Sequence, residues 1–129
     1  MKNLILMEND YTVLLIIMFI MHWVGDFVFQ TRKIADNKSK SIKYLTQHVF
    51  LYMCTFTPMV FAIGFGTEFL WFIFLLFSTH WITDFITSKF TRYFWRKKNI
   101  RAFFTTVGFD QLIHAVTLFW LAHKFMGLP

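Results

Sequence analysis

Residues 69–86 read FLWFIFLLFSTHWITDFI. About 20 predominantly apolar residues cross a bilayer as a helix, and this run is close to that length. Its only strongly polar members are His80 and Asp84. Four residues are about one helical turn, so the two side chains face the same way. A carboxylate near the bilayer centre costs roughly 2.5–3.5 kcal/mol on insertion scales, so Asp84 requires a partner. The stretch therefore predicts a membrane helix whose polar stripe faces other helices.

The rest of the chain offers those partners. His22-x-x-x-Asp26 repeats the spacing on an earlier apolar run, and Asp110-x-x-x-His114 repeats it in reverse order on a later one. His48 lies near the start of the remaining run. Hydrophobic residues make up 57% of the 129 residues, with 19 Phe. A soluble domain of that size cannot hide so much apolar surface. The reading is an all-α polytopic membrane protein: one domain, 1–129, forming a four-transmembrane-helix bundle. The spans fall at about 11–30, 44–63, 69–88 and 105–125, after a short tail over residues 1–10. The first is too long and too little basic at its start for a cleaved signal. Pro58 within the second makes a kink plausible. Cys54 is the single cysteine, so no intrachain disulfide forms.

Charge sets the topology. The chain carries 13 Lys and Arg against 7 acids. In a soluble chain such an excess would raise nucleic acid as a partner. Here the basic residues lie between spans, which points to a positive-inside arrangement and no nucleic acid. Arg32, Lys33, Lys38, Lys40 and Lys43 crowd the first loop; Lys89, Arg92, Arg96, Lys97, Lys98 and Arg101 crowd the third. The middle turn, Gly64 to Glu68, has no basic residue. Both basic loops are expected in the cytoplasm, which puts both termini outside the cytoplasmic (inner) membrane. Residues 89–104 read equally as a short amphipathic helix in the headgroup plane or as a basic loop with belt aromatics. Trp71 and Trp120 read as belt anchors on the outer side.

On this topology Asp lies nearer the cytoplasm and His one turn deeper in all three pairs. The order reverses on the one span that reverses direction, as a shared layer requires. Seven residues are thus candidate ligands of a divalent metal site: His22, Asp26, His48, His80, Asp84, Asp110 and His114. Imidazole with carboxylate suits zinc, manganese or iron, and such a set can supply two ions about 3.5–4 Å apart. Gln30 and Gln111, beside the aspartates, are candidates for orienting a ligand or for interfacial positions. Thr79, Thr83 and Gln47 read as helix–helix hydrogen bonders. His123 falls on the opposite face of its helix from His114. No Gly-rich phosphate loop or nucleophile elbow is present.

Three functions fit such a site. The first is a membrane-embedded metal-dependent hydrolase acting on a phosphate or ester at the cytoplasmic face. A bound ion would lower the pKa of a water and polarise a phosphoryl or ester group. Its substrate would be a membrane lipid or lipid phosphate, held by Lys38, Lys89 and Arg92. The second is a proton or divalent-cation transporter using the same cluster. The third is a non-enzymatic phage accessory membrane protein acting through partners. The polar residues themselves also read as interhelical hydrogen bonders that only hold the bundle together. Three carboxylates, at roughly 8–10 kcal/mol of insertion, are a large outlay for that last role.

The segments HWVGDFVFQ (22–30), DNK (36–38), HWITD (80–84) and GFDQLIH (108–114) carry a resemblance. As a set they resemble a domain-of-unknown-function family of small four-span integral membrane proteins from bacteria and tailed phages. The likeness covers about residues 15–120. It implies fold and location and assigns no activity. More distantly, the His/Asp pattern is similar to that of membrane-bound metal-dependent hydrolases.

Overall fold

The structure, a computed structural model, describes the backbone of residues 2–63 and 66–126 and the side chains of 11–62 and 66–125. Gly64 and Phe65 of the middle turn lie outside the described residues. The described chain is helical without strands: α1 (Lys2–Trp23), a π-helical turn (Val24–Val28), α2 (Arg32–Asn37), α3 (Ile42–Ile63), α4 (Glu68–Arg96) and α5 (Ile100–Met126). The N-terminal stretch read as a tail is already helical backbone from Lys2.

Three helices are long and apolar enough to cross a membrane: Tyr11–Val28, Glu68–Arg96 and Ile100–Phe125. The expected fourth, α3, matches α1 in length at 22 residues but is not among the three. The physical reason is composition: Thr46, Gln47, His48, Thr55, Thr57 and Pro58 dilute its apolar residues. α3 nevertheless contributes much of the bundle's interior. Leu45, His48, Val49, Tyr52, Phe56, Met59 and Val60 are all buried, and they recur at steps of three and four, the period of one helix face.

The bundle's outer surface is apolar. Phe61, Leu70, Trp71, Phe104 and Val116 are each at least 60% exposed, which is the surface a bilayer rather than water would solvate. The interior divides by depth. Away from the basic loops, Met18, Phe56, Met59, Val60, Phe72, Leu76, Leu118, Leu121 and Ala122 pack into an apolar core with Tyr52. Toward the basic loops, the buried side chains turn polar.

Two features differ from the sequence expectation at the basic end. Helix α4 does not stop near Ser88; it runs on to Arg96, because no breaker intervenes. At 1.5 Å per residue its 29 residues span about 43 Å, well beyond a hydrocarbon core of about 30 Å. Residues 89–104 are therefore neither a separate in-plane helix nor an irregular loop. They are the projecting ends of α4 and α5 joined by Lys97–Asn99. Lys98 takes a left-handed φ of 55° there. Asn99 Oδ1 accepts from the Ala102 N–H at 3.0 Å and so caps α5.

At the end of α1 the helix widens into the π turn. Gly25 makes this possible, for a Cβ there would lie 2.8 Å from Tyr52 Cδ2 and 3.2 Å from Tyr52 Cα. The absent side chain lets the turn press against α3 and brings Asp26 inward. The turn ends at Val28, so Gln30 is not on the same helix as Asp26, and the four-residue spacing between them loses its meaning.

Candidate metal centre

Each of the four long helices delivers polar side chains to one layer. Asp26 comes from the π turn after α1, His48 from α3, His80 and Asp84 from α4, and Asp110 and His114 from α5. All except Asp110 are at most 4% exposed; the Asp110 side chain is 14% exposed. His48 Nε2 lies 3.0 Å from Asp26 Oδ1 and 3.2 Å from Asp84 Oδ2. His80 Nε2 lies 3.4 Å from both Asp26 Oδ1 and His48 Nε2. His114 Nε2 lies 3.1 Å from Asp84 Oδ1 and 3.5 Å from Asp110 Oδ1.

These atoms form two overlapping donor sets. Asp26, His48, His80 and Asp84 each offer an atom within 4.8 Å of the others, and so do Asp26, Asp110 and His114. Asp26 belongs to both. Buried imidazole and carboxylate in such groups could hold a metal ion.

The charges argue in the same direction. Three carboxylates converge here and one fixed cation answers them. Lys38, in the turn after α2, places Nζ 2.8 Å from Asp84 Oδ2. Burial disfavours its charge, but Asp84, with Asp26 and Asp110, outweighs burial and raises its pKa above the ordinary lysine value. One ammonium against three carboxylates leaves two negative charges for the imidazoles or a bound cation to answer. Isolated buried charge is costly, so such a site calls for protonated imidazoles or a divalent cation.

His22, expected as a ligand, is built differently. Its Nε2 donates to Gln111 Oε1 at 3.0 Å, and its Nδ1 accepts from the Tyr52 hydroxyl at 3.1 Å. Both ring nitrogens are engaged, and its approach to Asp26 Oδ2 is only 4.0 Å. His22 therefore braces the cluster from one side and falls in neither donor set. Gln111 connects the parts: its Nε2 donates to Asp26 Oδ2 at 2.8 Å and to Asp110 Oδ2 at 3.1 Å. Gln30 does not reach the ligands, and its buried Oε1 has no hydrogen-bond partner among the described residues. Lys38 touches the cluster directly, whereas Lys89 and Arg92 line a cleft above it.

Tyr52 went unread in the sequence. It is fully buried, hydrogen-bonds His22, and stacks on His80 with ring centroids 3.8 Å apart. The signal was present: Tyr52 follows His48 by four, the spacing of the other pairs. Thr87, three residues after Asp84, was missed too; its hydroxyl donates to Asp110. Thr79 and Thr83, expected between helices, instead donate to the Leu75 and Thr79 carbonyls of their own helix.

Comparison with the curated proteins and with the solved structures gave no match. A family profile does match, from residue 14 to residue 128, and so takes in every residue of the cluster. The chain belongs to the family described as "Protein of unknown function (DUF3307)".

Proposed function

We propose that the chain is a membrane-embedded metal-dependent hydrolase that acts on a phosphate or ester at the cytoplasmic face of the inner membrane. α3 is its fourth span, and both termini lie outside. The observation that carries this reading is the pair of donor sets sharing Asp26, in which three carboxylates meet buried imidazoles and a single lysine. Asp26, His48, His80, Asp84, Asp110 and His114 would hold the ion or ions, with His22 bracing them. Zinc, manganese or iron fits the donors. A divalent ion in such a site lowers the pKa of a water and polarises a phosphoryl oxygen. The protein's own part is to fix the carboxylates, keep the site dry on the apolar side and admit substrate from the basic side.

The apolar core favours a hydrolase over a transporter. A transport route would have to pass a core that includes Phe56, Phe72, Leu76, Leu118 and Leu121 and that has no His, Asp, Glu, Lys or Arg among its described residues. On the side of the basic loops, Lys38, which touches Asp84, also lines a cleft. The test is turnover in liposomes held without any ion gradient. Metal-loaded protein releases phosphate from a lipid phosphate, and a chelator stops it. Gradient-driven ion flux with no such release contradicts the reading.

A further inference from the structure

Helix α4 carries polar residues past the metal centre. His80, Asp84, Ser88, Arg92 and Arg96 recur every four residues, about 6 Å of rise per step. The first two are buried in the cluster. The last three open onto a cleft of about 620 Å3, shared with Lys38, Ser39 and Lys40 from the turn after α2 and with Asp36, which pairs with Arg32. An adjoining hollow of about 480 Å3 also meets Ser39, Arg92 and Arg96, and adds Lys89. Pockets of about 300–1,000 Å3 are the size that holds small ligands.

Three observations separate this cleft from ordinary positive-inside charge. Ser88 is 6% exposed, lines the cleft, and its buried Oγ has no hydrogen-bond partner among the described residues. An orphaned buried hydroxyl is costly, and a ligand oxygen would satisfy it. Arg92 and Arg96 have no ion pair among the described residues, unlike Arg32, which meets Asp36 at 3.7 Å. Helical side chains lean toward their helix's N-terminus, which for α4 is the direction of Asp84. Finally, the floor is Lys38, whose ammonium already touches Asp84, so the cleft and the metal centre share a wall.

We infer that this cleft holds the phosphate of a lipid headgroup, with Arg92 and Arg96 pairing its oxygens, Ser88 hydrogen-bonding it and Lys38 standing between it and the metal centre. The lipid source follows from the other wall. Trp95 and Phe103 flank the basic residues where the helices leave the apolar band, the level at which aromatic side chains meet headgroups. Paired planar guanidinium groups match phosphate oxygens in geometry as well as charge. The inference names the substrate class of the proposed hydrolase. It rests on that reading for the fate of the phosphate and stands apart from it for binding.

The test titrates detergent-purified full-length protein with short-chain phosphatidic acid, with the diacylglycerol of the same chains and with glycerol phosphate. Metal content is measured on the same samples. Phosphatidic acid is expected to bind about tenfold or more tighter than either other ligand. Arg92→Gln with Arg96→Gln removes that preference, and Ser88→Ala weakens it several-fold, with metal content unchanged. The proposal is overturned if wild type shows no preference, or if the arginine pair can be replaced without loss. Glycerol phosphate binding as tightly as phosphatidic acid overturns the lipid source. Loss of metal in the arginine variant also overturns it, because the arginines would then act through the cluster. Preference for phosphatidic acid in protein that takes up no metal supports the cleft and ends the hydrolase reading. Bound metal without that preference does the reverse.

Discussion

Lys38 Nζ lies 2.8 Å from Asp84 Oδ2, the lysine side chain only 18% exposed and the carboxylate buried. A lysine from a short turn thus reaches the buried polar layer of the bundle and occupies one oxygen of a candidate ligand. With Lys38 in place and the imidazoles neutral as metal ligands, one divalent ion closes the charge balance of the three aspartates. A second ion gains from its withdrawal.

Removing that ammonium should therefore favour metal. Lys38→Met keeps the apolar stem of the side chain and deletes the charge. The variant is expected to bind zinc or manganese about tenfold or more tighter, or to take up a second ion per chain. In chelator it should melt below wild type, because Asp84 is left with less compensation. Titration with metal, followed by thermal unfolding with and without chelator, checks both halves. Weaker metal binding in Lys38→Met would show Lys38 to be a supporting residue and not a competitor.

Tyr52→Phe isolates a single hydrogen bond. The ring and its stack on His80 remain, while His22 Nδ1 loses its donor. Polar contacts inside membranes contribute about 0.6 kcal/mol on average, so stability should fall by about that much, and metal affinity by only a few-fold. Tyr52→Ala also removes the buried ring and should cost about 3–5 kcal/mol. Thermal unfolding of the two variants in parallel measures the difference.

Gly25→Ala probes the approach of the π turn to α3. The new Cβ would meet Tyr52 Cδ2 at 2.8 Å and Tyr52 Cα at 3.2 Å, and backbone cannot yield as a side-chain tip does. A loss of about 1–3 kcal/mol is expected, together with weaker metal binding as Asp26 moves from His48. The same stability loss with unchanged metal affinity would show that Asp26 is placed independently of this contact.

Labelling of single cysteines, introduced after Cys54 is replaced, should find Lys40 and Lys97 in the cytoplasm and Thr67 outside. The five and six basic residues of the two loops motivate this orientation. Thr67 in the cytoplasm would reverse the face from which substrate enters.

Much of the cluster could be read from spacing, because helices turn a four-residue interval into a shared face. His80 with Asp84 and Asp110 with His114 needed nothing more. Gln30 shows where that rule fails, while His22 still comes within 4.0 Å of Asp26 but falls in neither donor set. The rule assumes a regular helix, and the π turn at Val24–Val28 breaks it between His22 and Gln30. Lys38 was read as a loop cation for phosphate; only the fold of α2 against the bundle brings it to Asp84, 46 residues away in sequence. The start of α5 at Ile100 went unread although Asn99 caps it, because the span was placed by hydropathy and not by its cap. Helix limits were also not legible where apolar and basic residues share one uninterrupted helix, as from Ser88 to Arg96. Composition marked α3 as a span least well, since His48, which serves the site, and Thr46, Gln47, Thr55 and Thr57 lower its hydropathy.

The central claim is that Asp84 is a metal ligand and not structural glue, and Asp84→Asn decides it. Asn keeps the size and a hydrogen-bonding oxygen, and it is easier to insert into a membrane than Asp. Metal stoichiometry and thermal stability are measured together for wild type and variant, with and without chelator. The account predicts that wild type carries metal and loses stability in chelator, while the variant inserts and folds with clearly less metal. A wild type that chelator leaves unchanged in both respects, matched by an equally or more stable Asp84→Asn, would contradict it.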